Sequence, residues 1–509
     1  MRSKKALLNI ACSLLLQGLT VVSAFIIPRL LISTFQSSVN GLTVSITQFL
    51  GYLVLLQSGV GGVVKASLYK PLAQKDIDAT SGIIKATENF FRKIAYITIV
   101  YVGILAIVFP FIGSHDFGYA YTFLLVLIIG IGTFAQYYFG ITYQMLLQAD
   151  QKNYIYAIVQ MASVVVHVLL VVVLVRLGAG IHIVKLGSSL VFLIRPILLN
   201  VYVKRKYNIN NKCNPDKKSI AQRWDGFGHT IAYFIHNKTD IFLLTLLSNL
   251  REVSVYSVYV IVTNGLKTLV STIAHAVQAA FGNMIAKEEY DVLNNNFKAY
   301  ECFAHMVTVT LFTSAAVLVI PFISIYTKTF TDINYIRPVF AYLIIAAEGM
   351  YCLRQPYHSV IISAGHYKQT RNGAFIEAAI NILVSLVLIQ FWGIIGVAAG
   401  TLLAMLFRTF DYAVYLNKNI LFMRFGRFIK RMCVSILSIT CILLVTNNVM
   451  GIEMNTYFVW AGYAVYTTLA AITITLGVNL LFYRKECHFM FAMGKRLIFS
   501  SKKAKGLPS

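Results

Sequence analysis

The strongest constraint on this chain is a succession of fourteen long apolar runs that are separated by short polar or glycine-containing connections. A bilayer core of roughly 30 Å is crossed by about 20 apolar residues in a helix, and each of these runs is long enough to do so. The runs are continuous rather than alternating, and unpaired strand edges cannot face hydrocarbon, so helices are predicted rather than a barrel. The runs lie at 6–34, 41–69, 90–112, 119–147, 154–176, 181–203, 226–248, 253–286, 298–325, 337–363, 373–391, 393–416, 432–450 and 456–483.

Composition and charge agree with a membrane protein and give its orientation. Only 12% of the residues are charged and the mean hydropathy is +0.71, values that exclude a water-soluble surface. Of the 44 Lys and Arg residues, 22 fall in four segments on one side of the predicted topology: the N-terminus, 204–223, 417–431 and the tail from Arg484. The positive-inside rule places both termini in the cytoplasm. The basic excess is therefore assigned to orientation beside anionic lipids, and no nucleic acid partner is predicted.

An internal sequence repeat at an offset of 215 residues predicts two lobes. Ala149 falls on Ala364 and Gly178 on Gly393, and both copies read as a polar turn, a long apolar helix and a glycine-containing hairpin. Parallel repeats usually face each other across a central site. We predict an all-α integral membrane protein of about fourteen transmembrane helices, with two six-helix lobes around a central cavity and two C-terminal helices. The predicted parts are an N-terminal lobe at 1–203, a basic cytoplasmic linker at 204–225, a second lobe at 226–416, helices thirteen and fourteen at 417–483 and a basic cytoplasmic tail at 484–509.

Charged side chains inside the predicted spans are the candidate functional residues, because each costs at least about 2.5 kcal/mol at mid-bilayer on insertion scales. Cations outnumber acids among them, which suits an anionic passenger, since phosphate oxygens accept charge-assisted hydrogen bonds from Arg and Lys. Asp240 and Glu348 are the candidate ion-coupling groups. The candidate substrate-binding cations of the central cavity are Arg29, Arg195, Lys238, Lys267 and Arg354.

Structural roles remain open for several of these residues. Lys238 and Asp240 are two apart and point to different faces of a helix, so Asp240 is expected to pair with a cation on another helix or to cap a polar group. Glu348 and Arg354 are six apart, a spacing that does not bring them together. Arg29 has the alternative of reaching outward to the interface. Five more charged residues lie near the predicted ends of spans and are assigned to the interface in the same way: Lys65, Lys185, Glu377, Arg408 and Asp411.

Motifs for catalysis are lacking in the sequence. It contains no P-loop and no HExxH or DxxD-type cluster, and its seven cysteines form no CxxC pair. The predicted outer connections are about a dozen residues or fewer, which leaves no outer domain to hold a glycan acceptor. The sequence therefore predicts a transporter rather than an enzyme, with no catalytic residues, no metal site and no cofactor.

Three segments carry a resemblance to a known family. Residues 55–76 read LLQSGVGGVVKASLYKPLAQKD, similar to the family's second helix and the following loop, and residues 239–258 read TDIFLLTLLSNLREVSVYSV, similar to its seventh helix. The most specific segment is 377–404, EAAINILVSLVLIQFWGIIGVAAGTLLA, similar to the Asn-rich eleventh helix and its glycine-containing hairpin. On these segments the chain resembles the Wzx-type flippases, the polysaccharide-exporter branch of the multidrug/oligosaccharidyl-lipid/polysaccharide exporter superfamily.

The resemblance implies two six-helix lobes that form a V around a central cavity, which opens alternately to either side. Related flippases line this cavity with basic residues and move undecaprenyl-pyrophosphate-linked oligosaccharides from the cytoplasmic to the outer leaflet. In the relatives that move peptidoglycan precursors, arginines in helices one, two and eight are prominent. Arg29 and Lys267 occupy comparable helices here, whereas Lys65 lies near the inner end of helix two rather than in its middle.

The expected function is to flip a polyprenyl-pyrophosphate-linked glycan repeat unit for O-antigen or capsule synthesis, by alternating access in the bacterial cytoplasmic membrane. The expected partners are that lipid-linked oligosaccharide, membrane lipids, a polysaccharide polymerase and a chain-length regulator. Three alternatives remain: a flippase for lipid II or a spore-wall precursor, a cation-coupled drug exporter, and a membrane-embedded glycan polymerase or ligase. The drug-exporting branch tends to use membrane-embedded acids, which the cationic balance here does not match.

Overall fold

The computed structural model of this chain describes residues 2–57, 60–113, 116–210, 213–216, 227–450, 452 and 454–492. Regular structure in these segments is helical, and none of them contains a strand. The prediction of an all-α membrane protein is confirmed by this architecture. Much of the predicted linker, at 211–212 and 217–225, and the predicted tail from residue 493 lie outside the described residues.

Two compact units divide the chain between Ile261 and Val262. The described helices up to this point are α1 (Arg2–Leu50), α2 (Val60–Gln74), α3 (Ile77–Gly113), α4 (Tyr119–Ala135), α5 (Ile141–Ala149), α6 (Asn153–Arg176), α7 (Ile181–Lys206), α8 (Phe227–Leu247) and the start of α9 (Leu250–Ala286). The second unit contains the rest of α9 and then α10 (Tyr290–Tyr326), α11 (Pro338–Leu353), α12 (Gln355–Ser363), α13 (Tyr367–Trp392), α14 (Ile394–Asn419), α15 (Gly426–Met450) and α16 (Tyr457–Phe482). The predicted lobes at 1–203 and 226–416 stay a prediction.

Eleven helices of the described segments are long and apolar enough to cross a membrane. One of them, Leu8–Gln57, contains most of the run at 6–34 and the first part of the run at 41–69. Here α1 continues through the expected connection at 35–40 with only Gln36 in a non-helical conformation. The runs at 226–248 and 337–363 are helical as well, in α8 and in α11 with α12. In the residues that the structure describes, each of the fourteen predicted runs is therefore mainly helical, and the fold is consistent with about fourteen crossings.

Three of the predicted helices are broken in the structure. The described part of the run at 41–69 comprises the end of α1, a 3₁₀ segment at Gly51–Gln57 and most of α2. A π-helical turn at Gln136–Gly140 separates α4 from α5, and Arg354 separates α11 from α12. The last break follows from the sequence, because Pro356 has no amide hydrogen with which to continue the helix and its ring crowds the preceding turn.

The internal sequence repeat coincides with repeated elements in the two units. Shifted by 215 residues, the bounds of α5, α6 and α7 agree to within two residues with those of α12, α13 and α14. In each unit the two long helices are joined by a turn with a glycine of positive φ, Gly178 at 73° and Gly393 at 53°. Glycine has no Cβ atom and adopts this conformation without strain. The same local topology is therefore present in both units.

Gly41 allows α1 to contact the start of α9 closely in the first unit. A Cβ atom at this position would lie 1.7 Å from the carbonyl oxygen of Leu250, a backbone atom that moves only if the helix moves. We expect Gly41→Ala to lower the free energy of unfolding by about 3 kcal/mol, the upper range for overpacking in a filled interior. Thermal unfolding of the full chain in detergent measures this loss. Gly62→Ala is the matched control, because nothing lies within 4 Å of its added Cβ, and equal stability of the two variants would contradict the prediction.

Candidate functional site

Lys267 and Glu348 form an ion pair inside the second unit. The ammonium nitrogen of Lys267, on α9, lies 3.0 Å from one carboxylate oxygen of Glu348, on α11, and 3.2 Å from the other. Both side chains are largely buried, with 13% and 11% of their surface exposed. The structure thus brings one predicted substrate-binding cation into direct contact with a predicted ion-coupling acid.

A second group of charges joins the end of α11 to α13 and α14. Nη1 of Arg354 lies 2.7 Å from Oε1 of Glu377, and the other oxygen of Glu377 lies 3.3 Å from Nε of Arg408. Nη1 of Arg408 is in turn 2.6 Å from a carboxylate oxygen of Asp411. Two arginines therefore share the carboxylate of Glu377, and the chain of ion pairs crosses three helices.

Arg408 depends on these partners because only 1% of its side chain is exposed. Besides the two carboxylates, its Nη2 donates to the backbone carbonyl of Thr370 at 3.0 Å and to the hydroxyl of Tyr412 at 2.9 Å. Gly373 leaves room for the pair with Asp411, since a Cβ atom there would lie 2.1 Å from Nη1 of Arg408. A guanidinium removed from water needs such compensation, because an unpaired buried charge is strongly destabilising.

Tyrosine rings connect the two groups of charges. The ring centre of Tyr351 is 5.0 Å from the ammonium nitrogen of Lys267 and 4.6 Å from the guanidinium carbon of Arg354. The ring centre of Tyr412 is 3.9 Å from the guanidinium carbon of Arg408. Aromatic faces at these distances attract cations, and the attraction grows when water is excluded. We call the following set the charged cluster: Lys267, Glu348, Tyr351, Arg354, Glu377, Arg408, Asp411 and Tyr412.

The charged cluster is electrically balanced, with three cations and three carboxylates. The sequence predicts an excess of cations only if Glu377, Arg408 and Asp411 lie at the membrane interface. That assignment is wrong for Glu377 and Arg408, whose exposed fractions are 6% and 1%. One signal was available in the sequence: Arg408 and Asp411 are three residues apart on one helix, the spacing of a local ion pair.

Lys238 and Asp240 lie on α8 in the first unit and contact different neighbours. The ammonium of Lys238 donates to the side-chain oxygen of Gln48 at 3.2 Å, and the amide of Gln48 donates back to the Lys238 carbonyl at 3.0 Å. Asp240 is buried and accepts a hydrogen bond of 2.7 Å from the hydroxyl of Tyr256. The two residues point to separate partners, as the spacing indicates. Their roles in substrate binding and ion coupling stay predictions.

Arg195 lines a cavity of about 330 Å³ inside the first unit, between α1, α4, α6 and α7. Its Nη1 donates to the side-chain oxygen of Gln160, and its guanidinium carbon lies 5.9 Å from the ring centre of Tyr156. Lys185, for which the sequence predicts a position at the membrane interface, lines the same cavity. Helical periodicity could have found it, because positions 185, 188, 192 and 195 share one face of α7.

Arg29 is half-buried on α1, between Ile27 and Leu31, two residues that line this cavity. Both of its predicted roles, in binding substrate and in reaching the interface, stay predictions.

Of the seven predicted site residues, the structure gathers Lys267, Glu348 and Arg354 in the charged cluster and places the remaining four in the first unit. In the described part of the chain, no three His, Cys, Asp or Glu side chains are grouped so that they could hold a metal ion.

No protein-family model and no curated protein sequence matches the chain. Among solved structures, the lipid II flippase MurJ in an inward closed conformation superposes with a TM-score of 0.68 at 14% identity, covering 94% of this chain and 99% of that one. The MATE multidrug transporter DinF-BH gives a TM-score of 0.60 at 15% identity, covering 82% and 97%. A MOP superfamily transporter from Pyrococcus furiosus gives 0.56 at 12% identity, covering 81% and 95%. At these identities the likeness shows the fold, which is that of the MOP transporters.

Proposed function

We propose that this chain is a flippase of the polysaccharide-exporter branch, which moves a polyprenyl-pyrophosphate-linked oligosaccharide from the inner to the outer leaflet by alternating access. The observation that carries the proposal is the charged cluster, where Lys267 on α9 and Arg354 at the junction of α11 and α12 each have a buried carboxylate as partner. Cations inside a span are costly and mark substrate or ion pathways. A pyrophosphate offers them the same kind of oxygen acceptor with more negative charge.

The proposed role of Glu348 and Glu377 is to hold the cations while no substrate is bound. Leaving one member of a buried ion pair without its partner costs about 3–5 kcal/mol, so the empty transporter requires these carboxylates. On binding, the oxygens of the pyrophosphate take over N–H donors of Lys267 and Arg354. When the substrate leaves at the outer leaflet, the carboxylates pair with the cations again and the empty protein returns.

Glu348 is the proposed ion-coupling group of this cycle. When the pyrophosphate binds Lys267, the carboxylate of Glu348 loses its ion pair and remains buried among apolar helices. It then needs a proton or a metal cation in place of the ammonium. Asp240 is proposed for the same role in the first unit, where it is buried and accepts a hydrogen bond from Tyr256. Coupling at either residue would link flipping to an ion gradient.

Two observations favour a flippase over a cation-coupled drug exporter. Each of the three carboxylates in the charged cluster already contacts a cation of the cluster, which leaves none of them unpaired for an organic cation. The alignment with the multidrug transporter DinF-BH includes 97% of that protein but only 82% of this chain. The alignment with MurJ includes 94% of this chain. This chain therefore has segments beyond the multidrug-transporter fold that have counterparts in MurJ.

Flipping of lipid II is the second candidate function, and the extent of the likeness to MurJ favours it. Lipid II is also a polyprenyl-pyrophosphate-linked saccharide, so the charged cluster fits both substrates equally well. The two candidates differ in the glycan, which the phosphate-binding residues do not contact. A comparison of the two substrates at equal concentration in the assay below distinguishes them by rate.

The proposed location is the bacterial cytoplasmic membrane, with both termini in the cytoplasm. The four basic segments that hold 22 of the 44 Lys and Arg residues support this orientation, since such residues stay on the cytoplasmic side during insertion. A glycan delivered to the outer leaflet requires an enzyme that extends it there. The proposed partners are therefore a polysaccharide polymerase and a chain-length regulator in the same membrane.

Liposomes that contain the purified chain should transfer an undecaprenyl-pyrophosphate-linked oligosaccharide between leaflets at a rate about tenfold or more above that of protein-free liposomes. The readout is the fraction of labelled glycan that a membrane-impermeant glycosidase cleaves from outside over time. The matched control substrate carries the same oligosaccharide on a neutral lipid, and it should stay near the protein-free rate. Protein that exports organic cations but leaves the glycan in place would support the drug-exporter alternative. Formation of a new glycosidic bond would support a polymerase or ligase.

A further inference from the structure

The cavity of the first unit has a basic lining. Two of the lining side chains, Lys185 and Arg195, are cations, and none of the described residues that line it is a carboxylate. Its volume of about 330 Å³ falls within the range of small-ligand sites in proteins. The other polar lining residues are Thr47, Thr133, Gln136, His167, Ser188 and Ser189. This lining supplies positive charge and hydrogen-bonding groups without a negative charge to balance them.

Lys185 is the lining residue that points to a ligand. It is half-buried on α7, and it forms no hydrogen bond or ion pair with any residue in the segments that the structure describes. An ammonium group on a membrane-spanning helix is costly when it lacks an opposite charge. Lys267 and Arg408, by contrast, each contact a carboxylate. Lys238 and Arg195 each donate a hydrogen bond to the side-chain oxygen of a glutamine. An anion in the cavity would supply the charge that Lys185 lacks.

The remaining donors in the cavity are partly committed to protein partners. The hydroxyl of Ser188 donates to the backbone carbonyl of Val184 at 2.9 Å, and Nε2 of His167 lies 2.9 Å from the same hydroxyl. Arg195 uses Nη1 for its bond to Gln160 and retains other N–H groups. Lys185 and Arg195 are ten residues apart, about 15 Å along the helix, and therefore mark opposite ends of the cavity.

We propose that this cavity binds a compact anionic group, a phosphate or a carboxylate, with Lys185 as its direct ligand. Arg195 adds positive potential from the other end. The anionic group belongs either to a free inorganic anion or to an acidic substituent on a sugar. The sugar is considered because the volume of the cavity exceeds what a phosphate alone fills. This site goes beyond the proposed flippase function, which rests on the charged cluster of the second unit.

Thermal unfolding of the full chain in detergent tests the proposal with two probes, inorganic phosphate and glucuronate. Each is compared with glucose at the same concentration, and sodium chloride equalises the ionic strength. At least one probe should raise the Tm of the wild-type chain by about 2–4 °C, as expected of a ligand well above its Kd on a chain of this size. A larger shift with glucuronate identifies an acidic sugar, and a larger shift with phosphate identifies the free anion.

Lys185→Met should abolish the shift, and Arg195→Gln should reduce it. Lys185→Arg keeps the charge and should retain the shift, which gives a folded comparison if the methionine variant proves unstable. The double variant Lys267→Met with Glu348→Gln alters the charged cluster alone and should also retain it. No shift in the wild-type chain, or an equal shift in Lys185→Met, overturns the proposal. Protein that shows the shift but does not flip glycan overturns the flippase proposal instead.

Discussion

Replacement of Lys267 by methionine should slow flipping of the lipid-linked oligosaccharide about tenfold to a hundredfold, since a hydrogen bond to a charged group is worth about 1.5–3 kcal/mol. The variant loses the ammonium that the pyrophosphate would contact, and it leaves Glu348 without the cation that lies 3.0 Å away. The rate in liposomes measures the first effect, and the Tm of the detergent-solubilised chain measures the second. Lys328→Met is the control, because Lys328 is exposed and should affect neither quantity.

A charge exchange separates binding of the substrate from a purely structural ion pair. Lys267→Glu combined with Glu348→Lys retains one cation and one carboxylate in contact, so the Tm should return toward that of the wild-type chain. Flipping should remain slow, because the cation now projects from α11 instead of α9 and no longer faces the same pyrophosphate oxygen. If the exchanged pair flips glycan as fast as the wild-type chain, Lys267 serves only as the partner of Glu348 and its proposed role is wrong.

The positions of the helices could be predicted because the length and hydropathy of a span are local properties of the sequence. The described residues of all fourteen apolar runs are mainly helical, and Pro356 explains the break that follows α11. The break at Gln36 could not be predicted. Gln36 adopts a φ of 71°, a region that residues with a side chain rarely occupy, so the packing around it and not its identity determines the conformation. The π-helical turn at Gln136–Gly140 contains no proline, so its sequence does not indicate a break in the helix.

The charged residues of the cluster could be found in the sequence, but their partners could not. Lys267, Glu348 and Arg354 stand out because ionisable residues are rare in spans. Their pairs join α9 to α11 and α11 to α13, and helical periodicity shows which face a residue occupies but not which helix that face meets. Glu377 was misassigned for a related reason. Its position near the end of an apolar run does not show whether neighbouring helices cover it, and the contacts with two arginines keep it buried.

Replacement of Arg408 by methionine should cost about 3–5 kcal/mol of the free energy of unfolding, the range for breaking a buried ion pair by removal of one partner. The guanidinium contacts two carboxylates, a backbone carbonyl and a tyrosine hydroxyl, and methionine replaces none of these bonds. Denaturation of the full chain in detergent measures the loss. Flipping should fall as well, because Glu377 then has only Arg354 to pair with and holds it more firmly against an incoming pyrophosphate.

Three further variants show which contacts of Arg408 account for the loss of stability in Arg408→Met. Arg371→Met removes an exposed arginine from α13 and should leave stability unchanged. Asp411→Asn should cost about 1 kcal/mol or less, because 32% of the Asp411 side chain is exposed and partly exposed ion pairs contribute little. Arg408→Lys should lie between the wild-type chain and the methionine variant, since an ammonium keeps the charge but lacks the planar fork that reaches both carboxylates. If Arg408→Met is as stable as Arg371→Met, the ion pairs across α11, α13 and α14 do not hold these helices together. In that case Glu377 is free to act in transport without a structural role.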